Sequence, residues 1–178
     1  MSAVSFEVTR TRGDILKGIA ANTLRSPGTL AWYVGGSAVV AGIAVWVNRY
    51  ESAQALVLIG LLAFAAMLAL YTLILAFCVL LAARKTWALP GASDPVTYTL
   101  SKEGLGVLAS TGHGLTAWAT WKAAFESASL IVIRHQLNLI HIIPKRGMTD
   151  DTLHKVRSVL RANVKNVRLQ PAAVEPAP

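Results

Sequence analysis

The chain has 178 residues, more than half of them hydrophobic, and a mean hydropathy of +0.50, which is high for a soluble domain and bounds it to one or two small units. Seventeen Lys and Arg against nine Asp and Glu give a formal charge of +8, a balance that points to nucleic acid or to an anionic lipid surface. The single cysteine, Cys78, excludes an intrachain disulfide framework, and its apolar surroundings make it a small lipid-facing or packing residue rather than a reactive thiol.

The first 25 residues carry Glu7, Arg10, Arg12, Asp14, Lys17 and Arg25 and no apolar core of signal-peptide type, so the N-terminus is expected to persist. Val4, Phe6 and Val8 alternate with Ser5, Glu7 and Thr9, which predicts a short strand with one apolar face. Asp14 then caps a short helix carrying Ile15, Leu16, Ile19 and Leu24, and Ser26, Pro27 and Gly28 end it. A lone strand is unstable in water, so this one needs a partner sheet, and only the C-terminal half can supply it.

Residues 30–47 are uncharged, and Trp32 and Tyr33 at one end and Trp46 and Tyr50 at the other suit the two interfaces of a bilayer. Residues 55–83 are also uncharged. As a helix they reach roughly 43 Å, more than the ~30 Å of hydrocarbon, so the helix must tilt or emerge into the headgroups. Arg84, Lys85 and Trp87 follow as an interfacial anchor. The link 48–54 forces an antiparallel hairpin. Ser37, Ala38, Ala41 and Gly42 in the first span, and Ala65 and Ala69 in the second, offer small-residue faces for close helix approach, within the hairpin or to a protein partner or second copy.

Arg10, Arg12, Lys17 and Arg25 precede the first span and Arg84 and Lys85 follow the second, whereas the link holds Arg49 alone, beside Glu51. The positive-inside rule therefore places both termini in the cytoplasm. Neither span contains Asp, Glu, His, Lys or Arg, which disfavours intramembrane proteolysis, proton relay and ion-coupled transport by this chain alone.

After a linker at 88–95, the pattern becomes β. Segments 96–100 and 105–109 flank a turn in which Gly104 can take a positive φ. Residues 110–114 form another turn, 115–121 alternate as a strand, 122–127 are ambiguous, and 130–133 and 137–143 form a second hairpin. Trp118 and Trp121 stand an odd offset apart, so on a regular strand one is core and the other is exposed or interfacial. Thr149, Asp150 and Asp151 start a helix, with a capping hydroxyl and two carboxylates where the dipole favours them. Leu153, Val156, Leu160, Val164 and Val167 form its apolar stripe. From Pro171 the tail is low in complexity and expected to be disordered.

The expected organisation is an N-terminal strand and short helix over 1–28, a transmembrane hairpin over 29–87, a cytosolic domain over 96–168 and a tail over 169–178. The fold class is membrane α + β: a two-helix hairpin with a small pleckstrin-homology-like (PH-like) β-domain, a strongly bent sheet or partial barrel closed by a C-terminal helix.

Two spans followed by strands, then Trp118-Ala119-Thr120-Trp121-Lys122, then residues 130–134, then Ile142-Ile143-Pro144-Lys145-Arg146 and a closing helix, resemble the YcxB-like family of bacterial membrane proteins. The resemblance covers most of the chain. It implies a PH-like domain and a place in the bacterial inner membrane, and no activity.

No nucleophile elbow, P-loop, dinucleotide fingerprint or HExxH is present. His113, His135, His141 and His154 have no cysteine partners and are read as separate structural or surface groups, with no metal, cofactor or catalytic residue expected. The suggestive surface is basic: Lys145, Arg146, Arg157, Arg161, Lys165 and Arg168. It suits anionic lipid headgroups or a protein partner. The plainer reading, which we favour at this stage, is a solvated face that keeps a tethered domain soluble. Without aromatic interleaving on a recognisable module, nucleic acid is not an expected partner. The expected function is a non-enzymatic docking module, with an accessory subunit of a transport or envelope-assembly complex as the alternative.

Overall fold

The structure, a computed structural model, describes residues 3–137 and 139–170. They divide into two compact units: Ile19–Ala83, and the residues up to Gly18 together with those from Arg84 onward.

The first unit is a helical hairpin. Helix α1 (Arg12–Leu24) leads into it, and Pro27, with no amide hydrogen to lose, opens α2 (Pro27–Val47). A short link joins α2 to α3 (Ala53–Trp87), whose 35 residues extend about 52 Å. Both helices are long and apolar enough to cross a membrane, and their most apolar stretches are 6% and 0% buried. They touch through small residues and a few polar groups. A side chain on Gly36 would fall 2.8 Å from the Tyr71 hydroxyl, and one on Gly60 would fall 3.0 Å from Val45. The buried Ser37 hydroxyl donates to the Tyr33 carbonyl at 2.8 Å, which satisfies it within α2.

The second unit is β-rich. Strand β1 (Val4–Thr9) pairs antiparallel with β2 (Pro95–Leu100), matching Val4 with Leu100, Phe6 with Tyr98 and Val8 with Val96. The apolar residues thus face the same side, and the Phe6 and Tyr98 rings stack with centroids 5.8 Å apart. Strands β3 (Gly104–Ala109) and β4 (Gly112–Ala117) complete the sheet in the order β1-β2-β3-β4. Gly104 does not adopt a positive φ, contrary to the expectation from its turn position. It is needed for close approach instead: an added Cβ would lie 2.8 Å from the Thr116 carbonyl carbon.

A single 3₁₀ turn, Trp118–Thr120, separates β4 from β5 (Trp121–Glu126). This corrects the reading of 115–121 as one regular strand with its two tryptophans on opposite faces. The turn rotates the chain between them, so both are buried. Each indole N–H still has a partner: Trp118 donates to Ser101 O at 2.8 Å and Trp121 to Thr116 O at 3.3 Å.

Strands β6 (Leu130–His135) and β7 (Ile140–Pro144) follow, and then helix α4 (Asp150–Asn163), capped by the Thr149 hydroxyl, which accepts from Thr152 N at 3.2 Å. The helix stops at Asn163 rather than running on through Val167. Val164 turns into an extended conformation, and β8 (Asn166–Arg168) lies parallel to β5, giving the order β7-β6-β5-β8. Both sheets and α4 share one core, with Tyr98, Leu100, Leu105, Ile131, Ile133, Ile143, Val156 and Leu160 fully buried. Burying each such side chain contributes about 1.5–3 kcal/mol before entropy is subtracted. The expected disordered tail from Pro171 lies outside the described residues.

Candidate functional site

The six basic residues singled out from the sequence do not form one surface. Lys145 and Arg157 turn inward onto Glu126, at the end of β5. Lys145 Nζ donates to Glu126 Oε1 at 2.9 Å, Arg157 donates to both carboxylate oxygens at 3.0 and 2.6 Å, and Gln170 N donates to Oε2 at 3.0 Å. Burial alone would raise the Glu126 carboxyl. The hydrogen bonds from Arg157, Lys145 and Gln170 N outweigh it and hold the carboxyl below its usual range. The hydrogen bonds that Arg157 donates to Glu126 in turn hold its guanidinium above the ordinary value.

Arg146 is committed elsewhere. It donates to Asp14 Oδ1 at 3.0 Å, to Asp14 Oδ2 and to the Thr9 carbonyl at 2.7 Å. Asp14 is not the cap itself, contrary to the sequence reading. Thr11 caps α1, and Asp14, three residues on, accepts from Thr11 N and Thr11 Oγ1 at 2.7 Å each. Arg161 reaches the Gln170 carbonyl at 2.9 Å. Lys165 and Arg168 lie on β8 and its approach, not along the helix. Neither takes part in an ion pair among the described residues.

The parallel β5–β8 ladder begins by matching Ala123 with Asn166, and Lys122 and Lys165 stand one residue before that pair. Between them lies a cleft of about 340 Å³ lined by Ala119, Trp121, Lys122, Gln136, Lys165 and Asn166. The antiparallel β5–β6 ladder shifts register between Trp121 and Ala123, so Lys122 sits in a bulge, a device that re-aims a side chain. Gln136 Nε2 donates to Ala119 O at 2.8 Å and Asn166 Nδ2 to Lys122 O at 3.3 Å, fixing both amides. Beyond Gln136, Leu137 and Leu139 are 75% and 63% exposed. Sequence reasoning missed this cleft because 122–127 carried no clear pattern and β8 was read as helix.

Two histidines read as unrelated meet on one ring. His135 and His141 both place an edge against Trp121, with centroids 5.3 and 5.4 Å away, and His141 also meets Tyr98. Burial, then the charge of Arg10, then His135 push the His141 imidazole down to about 4. Burial raises the Tyr98 phenol, with Arg10 opposing, and its hydroxyl has no hydrogen-bond partner among the described residues. Among the described residues no group of three or more His, Cys, Asp or Glu could hold a metal ion.

The five aromatic residues proposed as interfacial anchors fall into three kinds. Trp32 is exposed at the start of α2. Trp46 and Tyr50 gather around Arg49, whose guanidinium lies 4.9 Å from each ring centroid. Trp87 receives the Arg12 guanidinium at 5.4 Å. Tyr33 faces α3 instead: its hydroxyl donates to Leu68 O at 3.3 Å and bonds the Thr72 hydroxyl, tying the hairpin together.

Comparison with family models, with curated proteins and with solved structures finds no match for the chain.

Proposed function

We propose that the protein is a two-span protein of the bacterial inner membrane, with both termini cytoplasmic, whose β-rich unit is a PH-like, non-catalytic module that docks onto anionic lipid headgroups. The membrane part rests on the two helices, whose most apolar stretches are only 6% and 0% buried and which are long enough to cross a hydrocarbon core. The resemblance to YcxB-like proteins and the positive charge beside both spans support the same placement.

The observation that carries the docking reading is the division of the cations. Lys145, Arg146 and Arg157 are consumed by Glu126 and Asp14. Lys122, Lys165 and Arg168 remain exposed with no carboxylate paired to them among the described residues. Each such cation near an anionic surface is worth about 1 kcal/mol.

Native mass spectrometry of the detergent-solubilised protein tests the reading. Retained anionic phospholipid, lost at high salt, is the expected result. Retention of zwitterionic lipid alone would overturn it.

A second reading, an accessory subunit of a larger membrane complex, is favoured by the outer face of α2. Side chains added at Gly35 and Gly42 would meet nothing within 4 Å, and a groove of about 410 Å³ runs along Ala31, Gly35, Gly36, Val39, Val40 and Tyr71. A stoichiometric protein in the same spectra would establish it.

A further inference from the structure

We infer that the cleft between Lys122 and Lys165 is a binding site for a phosphoryl group carried on a small polyol, whether that group belongs to a lipid headgroup or to a soluble phosphate. The inference rests on the anionic docking reading above and names its site.

Three observations converge. First, Lys122 and Lys165, each one residue before the matched pair Ala123 and Asn166, both line the one cleft. Like charges gathered in one cleft repel unless something neutralises them, and among the described residues no acidic one lines it. Second, about 340 Å³ is at the small end of ligand pockets, the size of a headgroup or a sugar phosphate rather than of a larger cofactor. Third, the walls are preset: the Trp121 indole is buried and donates to Thr116 O, and the side-chain nitrogens of Gln136 and Asn166 are held by backbone carbonyls.

The chemistry follows from the donor set. Lysine recognises phosphate as a point charge with three donors that rotate freely, without the planar fork of arginine. Two lysines match the charge of a phosphomonoester dianion, or overmatch a phosphodiester. With one N–H of each amide held by a backbone carbonyl, Gln136 and Asn166 also carry oxygens, which accept from hydroxyl groups. A phosphate on a hydroxylated carrier satisfies both sets. Leu137, which follows Gln136 in the chain, is largely exposed, an apolar neighbour that favours a lipid as the source.

The test uses the full chain, ¹⁵N-labelled at tryptophan, in nanodiscs of purely zwitterionic phospholipid. The indole N–H signals are followed by NMR during titration with glycerol 3-phosphate, and Trp121→Phe identifies the Trp121 signal. A saturable shift of that signal is expected, weakened at least ten-fold in Lys122→Gln and in Lys165→Gln and unchanged in Lys102→Gln, which removes the same charge from the β2–β3 turn. The other indole signals report whether each variant is folded.

In nanodiscs containing phosphatidylglycerol, a Trp121 signal already displaced before any addition identifies the lipid as the source. A signal that moves only with glycerol 3-phosphate identifies a soluble phosphate. Either result supports the site. No response to either ligand, or equal loss in Lys102→Gln, overturns it. If anionic lipid still co-purifies with Lys122→Gln/Lys165→Gln as with the wild type, the cleft assignment fails while the docking reading stands. If the wild type retains none, the docking reading fails as well.

Discussion

Arg146 and Asp14 are 132 positions apart, and the guanidinium holds the carboxylate from both of its terminal nitrogens, with Nη1 to Oδ1 at 3.0 Å. The same Arg146 bonds the Thr9 carbonyl, where β1 ends. The contact fastens the chain just before α1 to the turn between β7 and α4. Because the Arg146 side chain is 50% exposed, the pair is screened and its worth is well below that of a buried one. Asp14→Ala and Arg146→Ala should each cost about 1–2 kcal/mol, since hydrogen bonds to charged groups are broken. The double variant should cost clearly less than the sum. Guanidinium denaturation in detergent, followed by tryptophan fluorescence, measures all three. Strict additivity would show that the two residues act independently.

Glu126 is the more demanding case. Its side chain is fully buried, and Lys145 and Arg157 are 13% and 11% exposed. Glu126→Gln keeps the shape but leaves two buried cations facing a neutral amide, which should cost about 3–5 kcal/mol. Glu126→Leu combined with Lys145→Met and Arg157→Met should recover much of that loss, because it removes the buried charges along with their partner. If Glu126→Gln is as stable as the wild type under the same denaturation, the carboxylate is not the charge that holds these cations.

His141 sets a separate pH window. Its folded-state value is about 4, against 6.5 for a free imidazole. Protonation therefore favours the unfolded chain. This contribution is fully present above pH 6.5, declines as pH falls, and is gone below about 4, with a slope of up to about 1.4 kcal/mol per pH unit. Glu126 and Asp14 are depressed carboxyls, so their contribution is present above their ordinary values of 4.5 and 3.8 and is lost only as pH falls beneath these. His141→Phe should flatten the stability curve between pH 6.5 and 4.5 and leave the loss at lower pH. An unchanged slope in the upper window would remove His141 as its source.

Tyr98 carries a cost within the core. Its side chain is fully buried and its hydroxyl is without a partner among the described residues. Tyr98→Phe retains the stacking on Phe6 and removes an unsatisfied donor, so the variant should be neutral to about 1 kcal/mol more stable. A loss beyond that, in the same denaturation assay, would mean that the hydroxyl has a bonding role.

The hairpin, the pairing of an N-terminal strand with the C-terminal sheet and the capped final helix were legible because each rests on a local signal: uncharged length, alternation, or Thr149 before two aspartates. The basic cluster was misread because counting cations does not reveal their partners. Glu126 and Asp14 lie 19 and 132 positions from the lysine and arginine that hold them. Glu126 did carry a signal, as a lone acid ending the apolar run Ala123-Ala124-Phe125, where it could be buried only if paired. Strand β8 was lost because Val164 and Val167 continue the helical spacing of Val156 and Leu160, and only pairing with β5 makes them extended. The tryptophans were misplaced because a one-turn 3₁₀ segment leaves no mark in a period-two pattern.

Gly18 gives the most direct test of how α1 meets the sheet. A Cβ there would lie 2.6 Å from Ile142 Cγ1, and even closer to Cδ1, so glycine is required by packing against β7. In an open helix, Gly→Ala would stabilise by about 1 kcal/mol. Here the overlap should reverse the sign, and Gly18→Ala should destabilise by about 1–3 kcal/mol. Ile142→Ala alone opens a cavity and should also destabilise. The combination Gly18→Ala/Ile142→Ala should be more stable than Ile142→Ala alone, because the new methyl enters space that the isoleucine vacated and the helix regains its propensity. That reversal of sign between the two backgrounds, read from denaturation midpoints, is what close approach predicts. If Gly18→Ala stabilises the wild-type chain, α1 does not pack on Ile142.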